Sequence, residues 1–393
     1  MDKSAAEMTL SAEALQLISN ISEAELRDEF ELSKKLRKQH APEMVSAAIT
    51  QAKLRAKAKK KFGPFAERML FTRDGLEQAS RLSVSAQRAN RFLQAGIENV
   101  VDLGCGIGGD SMAMAGLGLN VSSVEIDEVT AAFAHYNLAG LGVEVIQNDA
   151  KEVDLNKYDA VFSDPARRRL GPGESRNRLS VFDYTPPISW LMEIAKSKPT
   201  AIKLSPADDY EQFGDEFHYE WISVDGELVE LTVYSSSLRG DKIRQARLLT
   251  SDGNYVFGSE SFISHVPEVS EIGRYVLEPD ASLIRSGLMG EFAIEHDLKL
   301  IDSKIAYLTS NQPLKTPWLK SFEIEVQLPL DPKVISKELA NRGIGILEIK
   351  KRGVDIVPEE FRKKLKLKGK GAASLIITKR GDTRIALLGK PIH

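Results

Sequence analysis

Glycines and a carboxylate stand together in one stretch of the chain, residues 100–111 (VVDLGCGIGGDS). The two valines predict the end of a buried strand, the glycines Gly104, Gly106, Gly108 and Gly109 a turn, and the residues after them the start of a helix. Glycine allows positive φ and a close approach of the backbone to a ligand, while a helix N-terminus offers free N–H groups. This order predicts a site for a nucleotide-like ligand.

Carboxylates at three predicted strand ends indicate which ligand fits. The glycine spacing alone suits NAD or S-adenosylmethionine. Asp102 can take the positive α-amino group of a methionine moiety, whereas beside a pyrophosphate the same charge would repel. Glu125, about 20 residues on, suits ribose hydroxyls in either class, and Asp149 at the third strand end suits an adenine amino group. We therefore expect S-adenosylmethionine as the cofactor, in contact also with Ile126 and Ala150 beside these acids.

The ordered set of motifs resembles the class I S-adenosylmethionine-dependent methyltransferases. The matching segments are VDLGCGIGGD, VEID, NDA and SDPAR, over roughly residues 81–233. The resemblance implies an α/β fold with a Rossmann-like sheet of seven strands and ligands bound at the strand ends. PTAIKLSP predicts the fifth strand, and WISVDGELVELTVY predicts the hairpin of the last two strands, turning at Asp225 and Gly226.

The pair Asp164 and Pro165 follows the predicted fourth strand. Methyltransferases that act on an amino group of a base carry an acid or amide followed by Pro-Pro-aromatic here. The resemblance implies that Asp164 and the backbone of Pro165 orient the acceptor for an in-line displacement. Ala166 replaces the second proline and Arg167 the aromatic residue. The amine acceptor therefore stays open at this point, with Arg167 a candidate to stack on a base or to hold a phosphate.

The same Asp-Pro-Ala-Arg stretch also resembles the uridine C5-methyltransferases of RNA. Those enzymes need a cysteine nucleophile. Cys105 is the single cysteine and lies in the glycine loop, so the sequence argues against this chemistry. Arginines continue after Arg167 in a loop rich in Gly and Pro. We expect Arg168 and Arg169 to contact phosphate or carboxylate groups of the substrate.

The composition limits the class of protein. A chain of 393 residues is expected to form two or three domains, and 42% hydrophobic with 28% charged residues is typical of a soluble globular protein. One cysteine, and six histidines without ligand spacing, predict neither a disulfide nor a metal site. There is no run of about 20 apolar residues and no signal-peptide pattern, which predicts a cytoplasmic protein without a membrane span.

The pattern of elements divides the chain into four regions. They are a helical region over residues 1–80, a methyltransferase domain over residues 81–240, a mixed β/α extension over residues 241–318 and a basic α+β module over residues 319–393. In the extension, SSLRGDKIRQARLLT and GNYVFGS predict strands of an appended sheet, and Glu278, Pro279 and Asp280 predict a turn. In the helical region, six cations over residues 53–61 slightly favour a phosphate-facing surface.

The last region has the element order β-α-β-α-β-β, with Gly343 ending its first helix. It resembles the THUMP-like domain found at the C-terminus of a family of bacterial methyltransferases. Because THUMP domains bind structured RNA, the resemblance implies a module that binds RNA and delivers it to the methyltransferase domain. The predicted RNA contacts are cations of this module, namely Lys350, Lys351, Arg352, Lys363 and Lys364.

These patterns favour methylation of a base of structured RNA, tRNA or rRNA, in a chain whose net charge is only −3. Two other functions stay open. One is a small-molecule or protein methyltransferase whose acidic substrate is held by Arg167, Arg168 and Arg169. The other is a non-catalytic RNA-binding protein that keeps the cofactor fold as a scaffold. Nothing in the sequence indicates the oligomeric state.

Overall fold

The computed structural model describes residues 3–167, 184–208, 210 and 213–392. The chain divides into two compact units. The first unit comprises Met1–Leu204, Glu216–His218 and Thr232–Gly240, and the second comprises Ser205–Asp215, Tyr219–Leu231 and Asp241–His393. The predicted region boundaries at residues 80 and 318 fall inside these units and remain predictions. None of the described helices has the length and apolar character needed to cross a membrane.

The N-terminal region is helical, as predicted. Its helices are α1 (Lys3–Thr9), α2 (Ala12–Asn20), α3 (Glu29–Leu36), α4 (Pro42–Phe62), α5 (Arg73–Gln78) and α6 (Leu82–Gln94). Proline at the first position suits the start of α4, and Gly63, at φ 55°, ends it. Leu17, Ile18 and Leu70 of this region share a buried cluster with Phe133, so the helices belong to the core of the first unit.

An α/β sheet follows, whose elements confirm the predicted fold class. Its strands and the short ribbon beside it are β1 (Asn99–Leu103), β2 (Asn120–Glu125), β3 (Glu144–Gln147), β4 (Ala160–Ser163), β5 (Ala166–Arg167), β6 (Tyr184–Thr185), β7 (Thr200–Leu204), β8 (His218–Val224), β9 (Glu227–Tyr234), β10 (Arg244–Thr250) and β11 (Gly253–Ser259). The intervening helices are α7 (Gly109–Gly116), α8 (Glu128–Asn137) and α9 (Ile188–Ser197).

The strand order of this sheet is β3-β2-β1-β4-β7-β9-β8-β10-β11. Strand β1 pairs in parallel with β2 and β4, so the carboxyl ends of these strands meet at one edge. Asp225 and Gly226 turn between β8 and β9 with φ of 52° and 80°, which matches the predicted hairpin. The prediction that β10 and β11 form an appended sheet is wrong. Strand β10 pairs in parallel with β8 and extends the same sheet.

A second sheet lies in the second unit. Its strands are β12 (Tyr275–Pro279), β13 (Lys299–Asp302), β14 (Ile305–Ser310), β15 (Leu319–Pro329), β16 (Ile344–Lys351), β17 (Gly371–Arg380) and β18 (Thr383–Ile392). The helices of this part are α10 (Ala281–Arg285), α11 (Met289–Glu295), α12 (Pro332–Asn341) and α13 (Pro358–Lys363). The strand order is β13-β14-β12-β15-β18-β17-β16. From β15 onward the elements follow the predicted β-α-β-α-β-β order.

The turn predicted at residues 278–280 is wrong. Glu278 and Pro279 finish strand β12, which pairs with β15. The carboxylate of Asp280 then accepts a hydrogen bond of 2.8 Å from the Ser282 N–H and caps α10. Val276 and Leu277 are fully buried, and their packing in the strand outweighs the tendency of the following residues to form a turn.

Asn137, near the end of α8, joins two segments that are distant in sequence. Its Oδ1 accepts from the Leu70 N–H at 2.7 Å, and its Nδ2 donates to the carbonyl oxygens of Leu70 and Ile107, each at 2.9 Å. Ile107 belongs to the glycine loop, and Leu70 to the segment between α4 and α5. Since Asn137 is 8% exposed, water cannot replace these bonds at low cost.

We expect Asn137→Ala to lower the free energy of unfolding by on the order of 3 kcal/mol, because it leaves buried N–H and C=O groups without partners. Chemical unfolding at neutral pH measures the difference. Asn156→Ala is the matched control, because this exposed amide bonds only to Asp154 in its own turn and should change stability by less than about 0.5 kcal/mol. Equal effects of the two variants would contradict the joining role of Asn137.

Candidate active site

The glycine loop between β1 and α7 is shaped by positive φ angles. Gly104, Gly106 and Gly108 have φ of 87°, 56° and 85°. The N–H groups of Gly104 and Cys105 both donate to the carbonyl oxygen of Val124, at 2.9 and 3.0 Å. At Gly108 a Cβ atom would lie only 2.8 Å from a methyl group of Leu138. The loop therefore needs glycine both for its backbone and for its close packing.

Asp102, at the end of β1, is completely buried. Its Oδ2 accepts from the Ser111 hydroxyl at 2.5 Å, and Ser111 in turn accepts from the Ser123 hydroxyl at 2.7 Å. Its Oδ1 is buried and has no hydrogen-bond partner among the described residues. Burial, followed by the negative charge of Asp110, raises the pKa of Asp102 well above its ordinary value. The site thus holds a buried carboxyl oxygen that a cationic donor would suit.

Asp110 is a second buried carboxylate nearby, at the start of α7, and it has a cationic partner. Arg88 of α6 donates to its Oδ1, as does the Ser85 hydroxyl at 2.6 Å. Arg88 is 2% exposed and also lies 4.5 Å above the ring of Phe162. Burial alone would raise the pKa of Asp110, but the positive charges of Arg88 and Lys203 outweigh it and lower the pKa.

Sequence reasoning missed Arg88. The signal was present, because Arg88 lies on the same helical stripe as Val84, Ala89 and Phe92, which are all buried. A charged residue within an apolar stripe of a helix indicates a buried ion pair. This pair fixes α6 against α7 directly beside the glycine loop.

The acids predicted at the next two strand ends lie at the same edge of the sheet. The Glu125 carboxylate accepts from the Gly106 N–H at 2.9 Å and from the Asp127 N–H at 3.0 Å. Burial raises the pKa of Glu125 despite these bonds. Asp149 is exposed and caps a short helical turn by accepting from the Lys151 N–H at 2.9 Å.

Ile126 and Ala150 follow these two acids and differ in exposure. Ile126 is 63% exposed, whereas Ala150 is buried. Both face the same cavity as the acids before them. An exposed apolar side chain in the wall of a cavity suits contact with a flat aromatic ligand.

Asp164 lies just after β4 and is paired with a cation. Its Oδ2 is 2.6 Å from Nζ of Lys203, which stands on β7. The same ammonium group donates to the carbonyl oxygen of Gln78 at 2.9 Å. Pro165 is buried beside Asp164. Lys203 belongs to the predicted fifth strand, PTAIKLSP, but the sequence does not indicate this partner, because Asp164 is 39 residues away along the chain.

One cavity of about 700 Å³ lies at this edge of the sheet. The predicted residues Gly108 and Pro165 are not part of its wall. Its wall includes the predicted residues Asp102, Gly104, Gly106, Glu125, Ile126, Asp149, Ala150 and Asp164. Part of the wall comes from the N-terminal region, which sequence reasoning had not connected with the site. Those residues are Thr50, Leu54, Phe71, Thr72, Arg73, Asp74, Gly75, Gln78 and Ala79. A volume of this size is typical of a small-molecule site.

Some of the predicted substrate-binding residues lie outside the part of the chain that the structure describes. The backbone of Arg167 pairs with Tyr184 in the ribbon of β5 and β6, and its side chain lies outside the described residues. Arg168 and Arg169 also lie outside the described residues. The prediction of a phosphate-facing surface over residues 53–61 needs correction for Arg55 and Lys61, which donate to backbone carbonyl oxygens instead. For the four exposed lysines of this segment it stays a prediction.

The cations predicted in the C-terminal module fall into two groups. Lys350 is half-buried and its Nζ lies 2.8 Å from a carboxylate oxygen of Glu278, and Arg352 lies over the ring of Tyr307. Both side chains thus have partners in the extension of residues 241–318, and their role as RNA contacts stays a prediction. Lys351, Lys363 and Lys364 are exposed, as a surface that binds phosphates requires.

Comparison with known proteins adds to this geometry. Residues 65–170 match the family model of the methyltransferase small domain, residues 319–391 that of a THUMP-like domain and residues 9–58 that of a domain of unknown function. A Mycobacterium tuberculosis protein described as an uncharacterized S-adenosylmethionine-dependent methyltransferase is 32% identical over 319 residues, covering 79% of this chain and 85% of the relative. The chain belongs to the S-adenosylmethionine-dependent methyltransferases. The same match is found in a second strain of that organism.

A solved structure supports the fold of this methyltransferase. A Porphyromonas gingivalis W83 protein superposes with a TM-score of 0.72 over 95% of this chain and 100% of that chain, at 22% sequence identity. That level of identity shows the fold alone. The methyltransferase uses S-adenosylmethionine as its cofactor, as the sequence motifs predicted.

We expect Asp102→Asn to raise the melting temperature of the ligand-free methyltransferase at neutral pH. Between the ordinary pKa of 3.8 and the raised folded pKa, the folded chain retains a proton on Asp102 that the unfolded chain has released, so stability falls as pH rises through this range. Asparagine does not ionise, so the gain in stability of the variant over the wild type is absent below about pH 3.8 and grows above it. Thermal unfolding across pH measures it, at about 2–4 °C per kcal/mol.

Asp110→Asn is the matched control and should act in the opposite direction. Its lowered pKa means that the carboxylate stabilises the fold above its ordinary pKa and loses this effect as pH falls through the folded pKa. Removing it leaves the guanidinium of Arg88 buried without its partner. The melting temperature at neutral pH should therefore fall. A lower melting temperature in both variants would contradict the conclusion that ionisation of the buried Asp102 destabilises the fold.

Proposed function

We propose that this methyltransferase transfers a methyl group from S-adenosylmethionine to a base of structured RNA, tRNA or rRNA. The observation that carries the proposal is one cavity that holds both the orphaned oxygen of Asp102 and the carboxylate of Asp164. The match of residues 319–391 to a THUMP-like domain supports RNA as the substrate class.

The residues at the strand ends fit the cofactor. The α-amino group of S-adenosylmethionine is cationic, and the buried Oδ1 of Asp102 lacks a hydrogen-bond donor among the described residues. Gly104 and Gly106 allow the ligand to approach the backbone, with only the carbonyl oxygen of Asp164, at 3.6 Å, within 4 Å of a Cβ at Gly104. We assign Glu125 to the ribose hydroxyls and Asp149 to the adenine amino group, with Ile126 and Ala150 against the ring.

Gly108 has a different role in the same site. Its φ of 85° and its packing against Leu138 shape the turn that leads into α7, whose N-terminus faces the cavity through Gly109 and Asp110. The close contact between Gly109 and the ring of Phe62, 3.0 Å from where a Cβ would lie, keeps this turn packed on α4. We therefore assign Gly108 to shaping the loop that the cofactor contacts.

The acceptor side of the cavity is assigned to Asp164 and Pro165. The carboxylate of Asp164 accepts an N–H of the base and turns the nitrogen lone pair toward the methyl group, together with the carbonyl oxygen of Pro165. A C–N bond forms as a C–S bond breaks, and the positive charge passes from sulfur to the acceptor nitrogen, which then releases a proton to solvent. The cofactor supplies the electrophilic methyl group, and these residues supply position.

The basic segment that would hold RNA is residues 362–370 of the C-terminal module. It contains six cations and no acid (RKKLKLKGK). Leu365 is buried and Leu367 packs against the same core, while the lysines on either side of and between these leucines are exposed. Phosphate groups of an RNA backbone suit such a surface. Because Lys350 and Arg352 contact Glu278 and Tyr307 of the extension, we assign the phosphate contacts to Lys351, Lys363 and Lys364.

We expect Asp102→Asn to weaken binding of S-adenosylhomocysteine by about 10- to 100-fold, because a charge-assisted hydrogen bond to the α-amino group is lost. Isothermal titration calorimetry measures the affinity, and the product is used because it keeps the amino group and transfers no methyl. Asp154→Asn, an exposed carboxylate in a turn outside the cavity, should leave the affinity unchanged. Unchanged binding in Asp102→Asn would refute the assignment of Asp102.

Methyl transfer to RNA is tested with labelled S-adenosylmethionine and total RNA from cells that lack this protein. We expect label in one RNA size class, and none in RNA from cells that contain the protein, because its site is already methylated there. Asp164→Ala should abolish transfer while binding of S-adenosylhomocysteine survives. Label found only in a metabolite or protein extract run in parallel would overturn RNA as the substrate.

The basic segment is tested by measuring the binding of that RNA to the double variant Lys363→Gln with Lys364→Gln at several salt concentrations. This variant should bind RNA more weakly and reduce the slope of log K against log salt by about 1–2, because each phosphate contact contributes somewhat under one unit. Lys333→Gln with Lys337→Gln, on the exposed face of α12, removes the same charge from the same module and should leave the slope unchanged.

A further inference from the structure

Lys203 connects the acceptor carboxylate to the N-terminal region. Its ammonium lies 2.6 Å from Oδ2 of Asp164 and 2.9 Å from the carbonyl oxygen of Gln78, at the end of α5. The side chain of Lys203 is 13% exposed and that of Asp164 28%. A short, partly buried, charge-assisted contact of this kind is stronger than a surface ion pair and restricts the rotation of the carboxylate.

The end of α5 is held by a second ammonium group. Nζ of Lys61 donates to the carbonyl oxygens of Leu76, Glu77 and Ala79, at 2.9, 2.7 and 2.6 Å. Cations at a helix C-terminus satisfy the last carbonyl groups and the negative end of the helix dipole. Burial, followed by the nearby positive charge of Lys203, lowers the pKa of Lys61 to about 8. The two lysines thus divide four successive carbonyl groups between them.

Only one of these two lysines is hydrogen-bonded to Asp164 in the described structure. Lys203 places a positive charge on the carboxylate and ties it to α5, whose residues Gly75 and Gln78 line the cavity. A carboxylate beside an ammonium stays ionised to lower pH and is a weaker base. It therefore suits acceptance of an N–H hydrogen bond better than removal of a proton from the acceptor.

We propose that Lys203 is a positioning residue for methyl transfer, which holds Asp164 as an oriented carboxylate against the wall formed by α5. The inference rests on the proposed role of Asp164 at the acceptor. In the transfer step, Lys203 gains and loses no proton. The new C–N bond replaces the C–S bond, and the acceptor proton goes to solvent as described for the proposed function.

The first test compares pH profiles of methyl transfer to RNA. Lys203→Met should reduce the rate at neutral pH by at least about tenfold and move the acid limb of the profile up by about 1–3 pH units, because Asp164 loses its neighbouring positive charge. Affinity for S-adenosylhomocysteine should not change. Lys203→Arg keeps the charge and should restore the acid limb. Lys61→Met removes the other ammonium from the end of α5 and should leave the limb in place.

Two results would overturn the proposal. One is an acid limb that stays unchanged in Lys203→Met, and the other is an equal shift in Lys61→Met, which would mean that anchoring α5 is the whole effect. If the wild-type protein transfers no methyl group to RNA, the proposed substrate fails, and the positioning role is then decided by the measurement below.

The second test needs no acceptor. A double-mutant cycle of Lys203→Met and Asp164→Asn is measured by thermal unfolding without RNA. At neutral pH the double variant should melt at least about 2 °C above the value expected from adding the two single shifts, since each single variant removes the opposite charge from a partly buried partner. The coupling should vanish at acid pH, where Asp164 is protonated. Additive shifts at neutral pH would refute the ion pair and the proposal with it.

Discussion

The site depends on a carboxylate that the described part of the protein buries without satisfying it. Asp102 has a serine hydroxyl on one oxygen and no donor on the other. Burying an ionisable group in this way is unfavourable, and the raised pKa expresses that cost. The neighbouring Asp110 shows that the fold can neutralise a buried acid, since it supplies Arg88 for that purpose. The contrast between these two neighbouring acids supports the proposed role of Asp102, in which its second oxygen accepts from the ammonium group of the ligand.

The N-terminal helices are part of this arrangement. Phe62 of α4 packs under Gly109, and Asn137 joins the backbone at residue 70 to the glycine loop at residue 107. The same core contains Met69 and Ile107. Because interiors are close-packed, a shift of these helices would be transmitted to the loop. The region that reads as a separate helical segment in the sequence therefore supplies both support and part of the wall of the cavity.

The features that the sequence predicted are formed by residues close together along the chain, whereas the features that it missed depend on residues far apart in sequence. The strand, glycine turn and helix around Asp102, and the hairpin at residues 225–226, each depend on neighbouring residues, whose apolar alternation and glycine breaks mark the elements. Strand β10 instead pairs in parallel with β8, and nothing in RQARLLT specifies that neighbour. The acidic partners of Arg88 and Lys203 are 22 and 39 residues away. The sequence around a lysine near a strand end is the same whether its ammonium group is solvated or paired with a carboxylate. Its role is therefore known only once the fold is known.

Several lysines of this chain show that a run of positive charge in the sequence does not by itself identify a surface that binds RNA. Lys61 and Lys203 donate to carbonyl groups at the end of α5, and the half-buried Lys350 pairs with Glu278 of the extension. With a net charge of −3, the chain has no overall attraction for a polyanion. The proposed binding of RNA would then rest on a local electrostatic field, which falls off within about 8–10 Å at physiological salt. The cations of residues 362–370 meet this condition, because Leu365 and Leu367 pack the segment against the core and no acid within it cancels its charge.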